Sequence, residues 1–107
     1  MPVVPIPQMV LPLGDSPEDS REWAEILAEA FEDRERTSGL IALAEQALRV
    51  HPGDAIILCF AATAALFEER PDRALIFLKR YYKRYVPNET YYLLHALALA
   101  QQQQIIV

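Results

Sequence analysis

Apolar residues recur at spacings of three and four along most of the chain, and turn residues divide that pattern into five helical segments. The first is predicted from Ser16-Pro17-Glu18-Asp19 to about Arg34. Ser16 offers a capping oxygen, Pro17 suits the first helical position, and the acids suit the positive end of the helix. Trp23, Ile26, Leu27, Ala30 and Phe31 form one apolar stripe, and Glu18, Glu22, Glu25, Glu29 and Glu32 an acidic one opposite. Thr37 or Ser38 is the expected cap of a second helix ending near Val50–His51, with Leu40, Leu43, Ala44, Ala47 and Leu48 inward. Pro52-Gly53-Asp54 stops that helix and starts the next. The third helix, about Asp54 to Glu68, is apolar almost all round, which predicts a central position covered on several sides. The fourth has Pro71 in its first turn, carries Ala74, Leu75, Leu78, Tyr81, Tyr82 and Tyr85, and reaches about Val86. Asn88 can cap a fifth through Tyr91, Leu94, Ala98 and onward.

These helices repeat. Ala28, Ala62 and Ala96 stand 34 positions apart, Leu40 precedes Ala74 by 34, and Pro52 precedes Pro87 by 35. A fixed period of this length is the mark of stacked helical pairs. Asp54–Pro87 is the one complete unit flanked on both sides. Residues 1–15 fall outside the period. Pro2, Pro5, Pro7 and Pro12 forbid a helix there, so the expectation is an extended, polyproline-like apolar arm ahead of a helical domain over 16–107.

Composition narrows the classes of function. The chain has 107 residues, enough for one modest core. Its net charge is −5, with nine acids against three arginines in residues 1–36 and six acids against seven bases afterwards. An acidic balance argues against a nucleic-acid partner. Lys79, Arg80, Lys83 and Arg84 interleave with Tyr81, Tyr82 and Tyr85, but their i,i+4 spacing reads as a solvated face. Other uses of that face are contact with RNA or an anionic surface, or a salt-sensitive, head-to-tail contact with the acidic first helix of a second copy. No apolar run is long enough to span a membrane. The start of the chain lacks the basic residues of a signal peptide, and Cys59 has no second cysteine to pair with, so the expected location is the cytoplasm.

Catalysis is not expected. His51 and His95 are scattered, His51 reads as a helix-end cap and His95 as a packing residue, and neither forms a metal-binding set with Cys59. Cys59 lies mid-helix among apolar residues, where a thiol is held protonated. Only three glycines are present and they form no phosphate loop, so no cofactor or metal is expected.

Aligned on the 34-residue period, the chain resembles the tetratricopeptide repeat family over roughly residues 20–104. The match rests on Leu27-Ala28, Phe31, Ala47 and Pro52 in a first repeat and on Leu58, Ala61-Ala62, Ala74, Leu78 and Pro87 in a second. Tyr92, Ala96 and Leu99 begin a third. Ala65 stands where that family usually has an aromatic and Leu40 where it has alanine, so the repeats are divergent. The resemblance implies an all-α fold of about five helices, antiparallel pairs stacked as a short right-handed superhelix of two and a half repeats. It also implies a peptide-binding groove along the first helix of each pair. Carried over position by position, that groove is Glu22, Glu25, Glu29, Glu32 and Asp33, then Ile56, Cys59, Thr63, Leu66 and Phe67, then Thr90, Leu93, Leu97 and Ala100. It is acidic at one end and apolar along the rest.

The implied function is protein–protein interaction. An apolar peptide or helix segment, with a basic flank toward the glutamates, would lie in the concave groove, as in a chaperone or assembly adaptor. The N-terminal arm is itself a possible occupant, in the same chain or in a second copy as an exchanged homodimer. Two other readings stand beside this one. The apolar groove residues can simply be core, covered by a further helix. Or the chain is the structural or oligomerising N-terminal domain of a longer protein, self-associating through its arm or its uncapped C-terminal end.

Overall fold

The structure is a computed structural model that describes residues 19–33 and 38–106. The proline-rich arm, the helix start at Ser16-Pro17 and the candidate cap Thr37 lie outside the described residues. Five helices follow in order: α1 (Ser20–Glu32), α2 (Leu40–Val50), α3 (Ala55–Phe67), α4 (Pro71–Arg84) and α5 (Glu89–Ile106). Among the described residues there is no strand, and no helix is long and apolar enough to cross a membrane.

Local chemistry accounts for most of the boundaries. Asp19 caps α1 by accepting from the Arg21 amide at 2.8 Å. Asp54 caps α3 through the amides of Ile56 and Ile57 at 2.9 and 3.0 Å. Asn88 caps α5 through the Tyr91 amide at 2.9 Å. Pro71 occupies the first turn of α4, where its missing N–H costs nothing. α2 departs from expectation. Its N-cap is Gly39, in the left-handed region at φ 83°, and Ser38 makes no capping bond. The free amides of that helix end are instead held by a distant carboxylate, since Glu68 accepts from Gly39 N at 2.8 Å and from Ile41 N at 2.9 Å. An anion at the positive end of a helix is favoured both by the amides and by the dipole.

Short turns fold successive helices back on one another, and α3 lies at the centre, in contact with each of the other four. Trp23 and Leu27 of α1, Ala44 and Ala47 of α2, and Ala74 of α4 are all fully buried, as are six residues of α3. Small residues at these contacts let helix axes approach closely while the larger neighbours fill the remaining space. α4 also reaches the preceding pair. Arg73 pairs with Glu45 of α2 at 2.6 Å, Arg80 donates to the Pro52 carbonyl at 2.9 Å, and the Tyr85 hydroxyl donates to the Gly53 carbonyl. Arg80 is therefore half-buried and committed to the α2–α3 turn, whereas Lys79, Lys83 and Arg84 remain solvated.

Candidate functional site

Ile56, Cys59 and Thr63 follow one another at three and four residues on α3, so they share a face. α5 begins beside that face, and the space between them is a cavity of about 380 Å³. Its lining consists of Ala55, Ile56, Cys59, Phe60 and Thr63 from α3, Tyr81 from α4, and Asn88 and Thr90 at the start of α5. Most of its polar atoms are already used. The Thr63 hydroxyl donates to the Cys59 carbonyl at 2.8 Å, and the Asn88 amide donates to the Tyr81 hydroxyl at 3.1 Å while its oxygen caps α5. What the cavity offers a ligand is chiefly carbon surface, so it suits an apolar group. Burial pushes the Cys59 thiol up from its ordinary value, which leaves it a packing group rather than a nucleophile at neutral pH.

The other expected groove residues are distributed around this cavity. Phe67 is 59% exposed and meets Phe31 of α1 edge-on at 5.3 Å. Phe31 in turn stacks on Phe60 at 5.3 Å, so an aromatic row leads from α1 to the cavity wall. Leu66 is half-buried, and its carbonyl accepts from Gln101 Nε2 at 3.0 Å. Leu93 and Leu97 are exposed on α5, three and seven residues beyond Thr90 on the same stripe. Glu22, Glu25 and Glu29 are exposed on α1, where none has an ion-pair partner among the described residues, and they do not line the cavity. Four cavity residues were not foreseen as such: Ala55, Phe60, Tyr81 and Asn88. The capping role of Asn88 and the inward lean of Tyr81 were legible, but the closing of a wall by α4 depends on how the pairs stack.

The histidines take other places. His51 closes α2 through its backbone N–H to the Ala47 carbonyl at 2.9 Å, not through its ring. His95 is half-buried and stacks on Tyr91 at 5.7 Å. Among the described residues no three His, Cys, Asp or Glu side chains gather as they would around a metal ion. No protein-family model matches the chain, and neither a curated protein nor a solved structure matches it.

Proposed function

We propose that this chain is a tetratricopeptide-like helical repeat module that binds an apolar segment of another protein along the α3–α5 face. Its role is that of a chaperone or assembly adaptor in the cytoplasm. The observation that carries the reading is the cavity of about 380 Å³, walled by carbon and with most of its polar atoms satisfied internally. It can take one large apolar side chain as an anchor, and the exposed Leu93 and Leu97 extend the apolar track beyond it. The unpaired glutamates of α1 favour a basic flank on the bound segment and would raise the association rate more than the affinity.

Selection of a random peptide library on the full chain tests this. The expected winners carry a large apolar residue with basic neighbours, and they protect Cys59 from alkylation at alkaline pH, where the thiol ionises. Ile56→Glu places a charge at the cavity mouth at a position 59% exposed, so the fold survives. It should weaken the selected peptides by at least about tenfold, or ~1.4 kcal/mol. Peptides that bind Ile56→Glu as well as they bind the parent, or a selection that enriches nothing, would remove the basis of the proposal.

A further inference from the structure

The 34-residue repeat allows one seam of the molecule to be compared with the next. On α3, Leu58, Ala62 and Ala65 are fully buried, and α4 packs on that helix. Thirty-four positions later on α5 stand Tyr92, Ala96 and Leu99. Tyr92 is 62% exposed, Leu99 is 45% exposed and Ala96 is open; among the described helices α5 touches α3 and α4 alone. The paired helix shows the same offset. Glu45 of α2 receives Arg73 from α4 at 2.6 Å. Its counterpart 34 positions on is Lys79 of α4, which has no ion-pair partner among the described residues. Between α4 and α5 lies a cavity of about 300 Å³ lined by Leu75, Lys79, Tyr82, Tyr91 and His95. No carboxylate lines it.

We propose that this α4–α5 seam docks an amphipathic helix of another protein, packed as α4 packs on the preceding pair and carrying a carboxylate opposite Lys79. The cavity walls keep helical spacing, Leu75, Lys79 and Tyr82 on α4 and Tyr91 and His95 on α5, and Tyr92, Ala96 and Leu99 beside them on α5 form a ridge of the kind that receives a helix, with alanine at its middle. The sign of the charge follows from the internal precedent. Where α2 presents an acid the incoming helix supplies a base, and where α4 presents a base it supplies an acid. Lys83, one turn further along α4, adds to the positive edge. Two occupants of other kinds fit less well. A second copy docked by the same seam would set positive edge against positive edge. α1 of a second copy has its apolar stripe, Trp23, Leu27 and Ala30, already buried, leaving a mainly carboxylate surface to meet an aromatic floor.

A displayed library of 14-residue helices on the α4 pattern, selected on the full chain, provides the test. Its apolar stripe and the position equivalent to Arg73 are both randomised. Asp or Glu should dominate at that position. Lys79→Glu should shift the preference to Lys or Arg, and a selected acidic helix should bind the parent about fivefold tighter than it binds Lys79→Glu, as for a partly exposed ion pair. Leu99→Asp should abolish binding, whereas Ile56→Glu should leave it intact, which separates this surface from the α3–α5 face. Lys79 and Leu99 are exposed, and circular dichroism verifies that the variants fold. The same charge preference on the parent and on Lys79→Glu overturns the proposal. So do helices that still bind Leu99→Asp, a selection that enriches none, and a dimer of the parent chain that Leu99→Asp dissociates.

Discussion

α3 and α5 both carry apolar residues on every side, and their sequences alone would place them alike. Their surroundings differ. α3 touches all four other helices, and Ile57, Leu58, Ala61, Ala62, Ala64 and Ala65 are fully buried. α5 touches two of the described helices, and up to Gln104 its buried apolar residues are Tyr91, Leu94 and Ala98, while Tyr92, Leu93, Leu97 and Leu99 are 45–62% exposed. An all-round apolar helix therefore marks a place in a stack where neighbours are wanted on each side. It does not report whether they are present. The two exposed stripes of α5 face different ways: Leu93 and Leu97 continue from Thr90 and the α3 cavity, and Tyr92, Ala96 and Leu99 lie on the side of α5 next to Tyr91 and His95, which line the α4 seam.

The sharpest way to break this comparison is a matched pair of substitutions one repeat apart. Ala62→Leu forces extra carbon into a fully buried contact and should destabilise the chain by about 2 kcal/mol. Ala96→Leu makes the same change at the equivalent open position and should stay within about 0.5 kcal/mol of the parent. Urea denaturation at constant slope reads both. Equal losses would mean that Ala96 is covered in solution, and a dependence of the Ala96→Leu loss on protein concentration would identify a second copy as the cover.

Much of this contrast is legible in the sequence because its causes are local. Pro52-Gly53 and Pro71 set helix ends through backbone chemistry and Asp54 and Asn88 through side-chain caps, and the recurrence of Ala28, Ala62 and Ala96 marks the repeat. The resemblance to the tetratricopeptide repeat implies one groove holding Ile56, Cys59, Thr63 and Thr90, and all four line the cavity. What escapes is tertiary. Nothing near Leu40 signals that Glu68, 29 residues from Gly39, will hold the start of α2. Nor does the sequence show that Tyr81 and Asn88 close the cavity while the glutamates of α1 stand apart from it. Those outcomes depend on how far one pair is rotated against the next, and no spacing within a single helix encodes that rotation.

The ends of α3 and α5 differ in the same sense as their sides. The residue after α3, Glu68, fastens the start of α2 with two charge-assisted bonds, while α5 reaches α3 through a single neutral bond from Gln101 to the Leu66 carbonyl. Glu68→Ala should cost about 1–2 kcal/mol, the loss of a helix cap together with a favourable dipole contact. Gln101→Ala should cost about 0.5–1 kcal/mol. Thermal unfolding gives the ranking, and amide exchange at Gly39 and Ile41 should quicken in the first variant alone. If Gln101→Ala proved the more damaging, α5 would be more tightly integrated than its two neighbours imply.

A comparably small effect concerns the turn that lays α4 on α3. Glu69 there has φ 58°, in the left-handed region that favours glycine. It holds that conformation because the turn closes two bonds, from Arg70 N to the Ala65 carbonyl at 2.7 Å and from Glu69 N to the Leu66 carbonyl at 3.1 Å. Glycine at this position relieves about 1–2 kcal/mol of backbone strain. It also frees the unfolded chain, which returns about 0.4–1 kcal/mol of that gain. The net expectation for Glu69→Gly is a stabilisation of about 0.5–1 kcal/mol, seen as a rise in Tm of a few degrees. Gly39, at φ 83° before α2, provides the converse, since Gly39→Ala should destabilise by about 1 kcal/mol. Opposite signs at Glu69 and Gly39 would show that a left-handed residue sits at the turn before α2 and at the turn that lays α4 on α3. A loss at Glu69→Gly would instead mean that its side chain contributes more to covering α3 than its backbone strain takes away.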